Sequence, residues 1–158
     1  MDSTAICRQL ALALKARGWM MATAESCTGG MIAARCTDLA GSSEWFERGF
    51  VTYSNAAKTE ALGVPAALIA LHGAVSEPVA MAMAQGAVQH AQAEVSVAVT
   101  GIAGPTGGSP EKPAGTVWFA WSVDGELSSE RRVFEGDRAA VREAAVAHAL
   151  QGLMARLT

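Results

Sequence analysis

Thr23-Ala24-Glu25-Ser26-Cys27-Thr28-Gly29-Gly30 is the stretch around which the chain is organised. A short apolar run, Trp19-Met20-Met21-Ala22, precedes it and reads as a strand. An amphipathic stretch beginning near Gly29 follows, with Ile32, Cys36 and Leu39 at spacings of four and three, the signature of one buried helical face. A strand that feeds a tight Ser/Thr/Gly turn and then a helix presents a hydroxyl and unpaired backbone N–H groups at one point. Such a point can hold a phosphate or an oxyanion, or activate Ser26, with Thr28, Gly29 and Gly30 supplying the N–H groups. The competing reading is an ordinary helix start, where Ser and Thr are favoured in any case.

Working outward, the chain has 158 residues, of which 51% are hydrophobic and 17% charged. That suffices for one well-buried domain and is short for two, so residues 1–158 read as a single domain. The formal net charge is −3 and no Lys/Arg run stands out, which argues against nucleic acid as a partner. The apolar runs are interrupted well short of a membrane span, and the N-terminus lacks the basic-then-apolar layout of a signal peptide. The expectation is a soluble, cytoplasmic protein with no membrane partner. Cys7, Cys27 and Cys36 are an odd count at no metal-ligand spacing, and His72, His90 and His148 are scattered. No metal site, no Cys–His dyad and no cofactor is expected.

Taken in order, Ser3 is the expected cap of a first helix whose Ile6, Leu10 and Leu14 share a face and whose stop is Gly18. The strand, the Ser26 turn and a second helix ending at Gly41 come next. Residues Phe46 to Ser54 form a second strand candidate, and Asn55 to Leu62 a short helix closed by Gly63. Ala66 to Leu71 make another turn of helix. Ser76-Glu77-Pro78 starts a longer one that runs to about Ala91. Val95 to Thr100 alternates bulky and small residues, a strand buried on one face and closely approached on the other. It enters a loop of turn formers, Gly101 to Pro110. Thr116 to Val123 is the most β-prone stretch, and Asp124-Gly125 turns it into a partner over Ser128 to Phe134. The last helix starts at Asp137 with Val146, Leu150, Leu153 and Leu157 on one stripe. Strands that alternate with helices early and pair as a hairpin late predict a layered α/β/α domain with a mixed β-sheet.

Serine needs a neighbouring group to take its proton. No histidine stands in a triad motif and G-x-S-x-G is absent, so lysines and carboxylates remain as bases. Lys58 lies on a short helix directly after a strand ending at Tyr53, which can bring both to the sheet end that carries Ser26. To act as a base it must be neutral, with a pKa lowered from about 10.4. The alternative is a solvated lysine paired with a carboxylate. Cys27 is a rival nucleophile, since a helix start lowers thiol pKa, or else a small buried residue. Glu25 is a base or a structural hydrogen-bond partner. Extending the stripe of the last helix backwards puts Arg142 and then Arg138 on the same face. Arginines in first turns oppose the macrodipole, which an anion bound there would offset. Snorkelling, or pairing with Glu135 or Glu143, is the other reading. The Gly101-to-Gly108 loop lacks a P-loop ending; its glycines admit close approach of a ligand or simply make a surface loop.

Three motifs, Ala24 to Gly30, Val51 to Asn55 with Lys58, and Thr100-Gly101 to Pro105, together resemble the CinA C-terminal domain family. The resemblance covers nearly the whole chain, adding Gly115-Thr116-Val117 and the Asp137-Arg138 helix start. Enzymatic members of that family are nicotinamide-nucleotide amidases. The resemblance therefore implies hydrolysis of nicotinamide mononucleotide to nicotinate mononucleotide and ammonia, within pyridine nucleotide salvage. It implies Ser26 as nucleophile, Lys58 as its base and Tyr53 assisting the proton transfers, with no metal. Thr28 to Gly30, Thr100 and Gly101 would then face the substrate, and Arg142 with Arg138 would meet its phosphate. The chain looks like the stand-alone form of the family, and a homo-oligomer is expected. A non-catalytic nucleotide-binding or adaptor domain linked to competence or DNA damage is the alternative.

Overall fold

Five strands, β1 (Met21–Glu25), β2 (Phe46–Val51), β3 (Val95–Gly101), β4 (Thr116–Val123) and β5 (Glu126–Val133), join in one sheet of order β2-β1-β3-β4-β5. β1 runs parallel to both β2 and β3, while β3–β4 and β4–β5 are antiparallel. Helices α1 (Ser3–Arg17), α2 (Met31–Thr37) and α6 (Arg138–Arg156) pack on one face of the sheet. Helices α3 (Asn55–Leu62), α4 (Ala66–His72) and α5 (Glu77–Gln89) pack on the other. The architecture is the α/β/α layering with a mixed sheet that the alternation of strands and helices predicts. The structure, a computed structural model, describes residues 2–158. Among them no helix is long and apolar enough to cross a membrane.

The alternation in β3 sets the two layers at different depths. Val95, Val97 and Val99 fill the core under α1 and α6. The small residues between them face α5, where Ser96 Oγ donates to the Ala84 carbonyl at 2.7 Å. Ala22, Ala24 and Ala120 continue that shallow face, so α5 lies close against the sheet. On the opposite face Trp121 is fully buried, its indole N–H donating to the Ala149 carbonyl at 2.9 Å and Arg156 stacking 3.8 Å over its ring.

Gly152 of α6 is the point of closest approach: a Cβ there would stand 2.1 Å from Trp121 Cζ2. A rigid, hydrogen-bonded indole cannot retreat as a flexible chain end would. Gly152→Ala should therefore destabilise by about 1–3 kcal/mol despite alanine's better helix propensity. At roughly 2–4 °C per kcal/mol, a thermal melt reads the change directly. An unchanged Tm would mean that α6 slides off the ring without loss.

Several boundaries differ from expectation, each for a local reason. Asp2, not Ser3, caps α1: its carboxylate accepts from Ala5 N at 2.8 Å, and Ser3 sits inside the helix as a partner of Arg35. The first strand begins at Met21 rather than Trp19. The second helix stops at Thr37, and a short 3₁₀ turn at Ser42–Glu44 fills the connection to β2. β2 stops at Val51 rather than Ser54, because the carbonyls of Thr52 and Tyr53 turn away to bind Lys58. α5 ends at Gln89, and the hairpin partner starts two residues earlier than read, at Glu126.

The connectivity creates a switch point in the sheet. The chain leaves β1 through α2 to reach β2 on one side, then crosses through α3, α4 and α5 to β3 on the other. Ligand sites of open α/β sheets lie at such switch points, beyond the carboxyl ends of the strands. Here those ends are Glu25, Val51 and Gly101.

Candidate active site

Ser26 is pinned at the switch point by its own backbone, whose N–H donates to the Val99 carbonyl of β3 at 3.0 Å. The chain then turns through Gly29 (φ 57°) and Gly30 (φ 104°), both in the left-handed region that favours glycine. Gly30 is the N-cap of α2 and has no side chain to cap it. Glu25 does this instead. Its Oε1 accepts from Thr28 Oγ1 at 2.6 Å and Ile32 N at 2.8 Å, and its Oε2 from Ala33 N at 3.1 Å. A carboxylate at a helix N-terminus is also electrostatically favourable. Of the two roles open to Glu25, hydrogen-bond partner is the one its contacts fill.

Lys58 of α3 is 1% exposed and reaches across to the serine. Its Nζ lies 2.9 Å from Ser26 Oγ, 3.0 Å from the Thr52 carbonyl and 3.2 Å from the Tyr53 carbonyl. No carboxylate pairs with it among the described residues. Burial holds its pKa below the ordinary lysine value. A neutral amine has two N–H donors and one lone pair, and carbonyls only accept. In that neutral form, with its N–H groups given to Thr52 and Tyr53, the lone pair would be left for the Ser26 hydroxyl; as an ammonium the same group donates to all three oxygens. That hydroxyl has a second acceptor, the Tyr53 carbonyl, but at 3.4 Å it is the weaker one. Cys27 is a poor rival, because burial pushes its thiol up to about 11 and keeps it protonated at neutral pH.

The two arginines share a face of α6 but reach different targets. Arg138 donates to the Gly104 carbonyl at 3.0 Å and to the Tyr53 hydroxyl at 3.2 Å. Arg142 turns back onto the serine turn, donating to the Cys27 carbonyl at 3.1 Å and the Thr28 carbonyl at 3.4 Å. Neither pairs with Glu135 or Glu143; the latter is held by Arg35 at 3.3 Å. Tyr53, 61% exposed, therefore points its phenol at Arg138 while its carbonyl serves Lys58.

A cavity of about 280 Å³ opens over this group, bordered by Ser26, Tyr53, Lys58, Thr100, Gly101 and Arg138. Arg142, Thr28, Gly29 and Gly30 do not border it. Thr100 Oγ1 is spent on the Ala74 carbonyl at 3.0 Å. At Gly101 a Cβ would meet Val117 Cγ2 at 2.8 Å, so packing against β4 rather than a ligand demands glycine there.

The profile of the CinA C-terminal domain matches residues 3–157. The chain belongs to that family. It is 59% identical over 146 residues to the nicotinamide-nucleotide amidohydrolase PncC of Escherichia coli K12, covering 92% of this chain and 88% of that protein. A Pseudomonas putida protein of the same name is 58% identical over 132 residues, covering 84% and 82% respectively. A crystal structure described as the competence damage-inducible protein A from Klebsiella pneumoniae superposes with a TM-score of 0.96 at 42% identity, over 99% of this chain and 98% of that one.

Within this family fold, the sequence reading did not single out Asn55, Ala74, Val75, Ile102, Ala103 or Thr106 as site residues, although all border the cavity. Asn55 had a usable signal: it stands three residues before Lys58, one helical turn away on the same face. Ala74 and Val75 had none, since only the crossover from α4 to α5 brings them over the end of β3.

Proposed function

We propose that the chain is a nicotinamide-nucleotide amidohydrolase that converts nicotinamide mononucleotide and water to nicotinate mononucleotide and ammonia by a Ser–Lys mechanism. The observation that carries this reading is the buried, carboxylate-free Lys58 at 2.9 Å from Ser26 Oγ. The names of the E. coli and P. putida relatives support the substrate. The setting we propose is pyridine nucleotide salvage in the cytoplasm, with residues 1–158 acting as one domain of a homo-oligomer.

In this mechanism Ser26 Oγ attacks the carboxamide carbon as its proton passes to Lys58 Nζ. The carbonyl oxygen becomes an oxyanion that needs an N–H donor; of residues 27–30 only Cys27 borders the cavity, and its N–H carries no hydrogen bond among the described residues. The Lys58 ammonium, still held by the Thr52 and Tyr53 carbonyls, returns the proton to the leaving nitrogen. The C–N bond breaks, ammonia departs, and an acyl-Ser26 ester remains. Water then attacks this ester, losing its proton to Lys58, and Ser26 recovers its hydrogen. Tyr53 assists through its carbonyl, which orients the amine, rather than through its phenol. A non-catalytic binding role leaves unexplained why a lysine is buried against a serine with no counter-charge.

Purified protein should release ammonia and nicotinate mononucleotide in equal amounts from nicotinamide mononucleotide, with or without EDTA. Absence of both products would overturn the reading. Activity lost on chelation and regained with a divalent ion would overturn the serine mechanism.

The arginines separate by substrate. Arg138 borders the cavity and is the proposed phosphate partner, so Arg138→Ala should raise KM for the nucleotide about 10- to 100-fold, the worth of a charged hydrogen bond, and barely affect the riboside. Arg142 acts through the Cys27 and Thr28 carbonyls, so Arg142→Ala should lower kcat alike for nucleotide and riboside. The opposite pattern would restore Arg142 as the phosphate partner.

A further inference from the structure

We propose that Asn55 recognises the carboxamide nitrogen of the substrate, the group that leaves as ammonia; this rests on the amidohydrolase reading above. Most polar side chains around the cavity are already committed. Lys58 is held by two carbonyls and Ser26, Thr100 by the Ala74 carbonyl, and Tyr53 and Arg138 by each other. Asn55 and Thr106 are the amide and hydroxyl side chains of its border that carry no hydrogen bond among the described residues.

These two free groups belong to different ends of the cavity. Asn55 opens α3 one helical turn before Lys58, so both side chains project from one face of that helix. Thr106 lies two residues beyond Gly104, whose carbonyl takes Arg138. Tyr53 spans the distance between them, with its carbonyl on Lys58 and its hydroxyl on Arg138. Asn55 thus stands with the reacting carbonyl and Thr106 with the ionic end. A primary carboxamide brings two N–H donors and needs an acceptor. The nearby carbonyls of Thr52 and Tyr53 are taken by Lys58, which leaves Asn55 Oδ1. An ester offers no such N–H, so this contact would favour the amide over the ester; a carboxylate could still take the Nδ2–H side of the Asn55 amide.

The variant leaves the helix start intact, since Ser54 Oγ caps α3 through Ala57 N at 3.0 Å and Asn55 is exposed. The experiment compares the full chain and Asn55→Ala on nicotinamide mononucleotide and on the methyl ester of nicotinate mononucleotide. Asn55→Ala should lower kcat/KM for the amide about tenfold and change the ester by less than about twofold. In a Ser26→Ala background it should weaken nicotinamide mononucleotide binding by a similar factor. Equal losses on amide and ester would overturn the role of Asn55 and leave the amidase standing. Hydrolysis of neither by the native chain would instead overturn the amidase reading, and this inference with it.

Discussion

Ser26→Ala should reduce ammonia release from nicotinamide mononucleotide to background, a fall on the order of the 10⁶-fold seen when a serine hydrolase loses its nucleophile. The fold should survive. The backbone bond from Ser26 N to Val99 O does not involve the side chain, and the hydroxyl contacts only Lys58 and, at longer range, the Tyr53 carbonyl. One lost hydrogen bond costs about 1 kcal/mol, a small part of a domain's stability. The variant should therefore bind the nucleotide with near-native affinity and turn nothing over. Cys27→Ala is the matched control: its thiol, pushed up to about 11 by burial, supplies almost no thiolate at neutral pH, and its loss should leave most of the rate. Turnover by Ser26→Ala together with its loss in Cys27→Ala would reverse the assignment of the nucleophile.

The layering was legible because its signals are local and redundant. The helix over Asn55–Leu62 carries its stop at Gly63, which the structure uses. The hairpin at Asp124-Gly125 is announced by turn chemistry, and the alternation in β3 foretells how closely α5 packs. What stayed hidden depends on long side chains and long-range order. Periodicity places Arg138 and Arg142 on one face of α6, yet it cannot say that one guanidinium reaches Gly104 while the other folds back to Cys27. The premature end of β2 is invisible to strand propensity, because it serves an amine six residues further on. Glu25 reads as a potential base until the bare Gly30 N-cap is seen to need it. The border at Ala74 and Val75 exists only because β3 inserts beside β1.

Lys58→Arg separates a proton acceptor from a mere cation. If Lys58 served only to anchor an anion or complete an ion pair, arginine would keep the charge and much of the activity. The site argues otherwise: the amine is 1% exposed, has no counter-charge, and has its pKa lowered by burial. A guanidinium, with a pKa above about 12, cannot accept the serine proton, and its planar fork does not fit two carbonyls and a lone-pair contact. Lys58→Arg should thus be nearly as inactive as Lys58→Ala, each losing about two to four orders of magnitude in kcat. The pH dependence has a definite sign. The working form is neutral, so native kcat/KM should rise with pH as Lys58 loses its proton, and the burial that lowers its pKa places this limb below the value of about 10.4 for a free lysine. Neither variant should show that limb. A small primary amine added to Lys58→Ala should restore part of the rate, increasingly with pH as more of it becomes neutral; Lys58→Arg, whose side chain fills the space, should not respond. Substantial turnover by a folded Lys58→Arg protein at neutral pH would sink the Ser–Lys mechanism, while the ammonia assay would still decide separately whether the chain is an amidase.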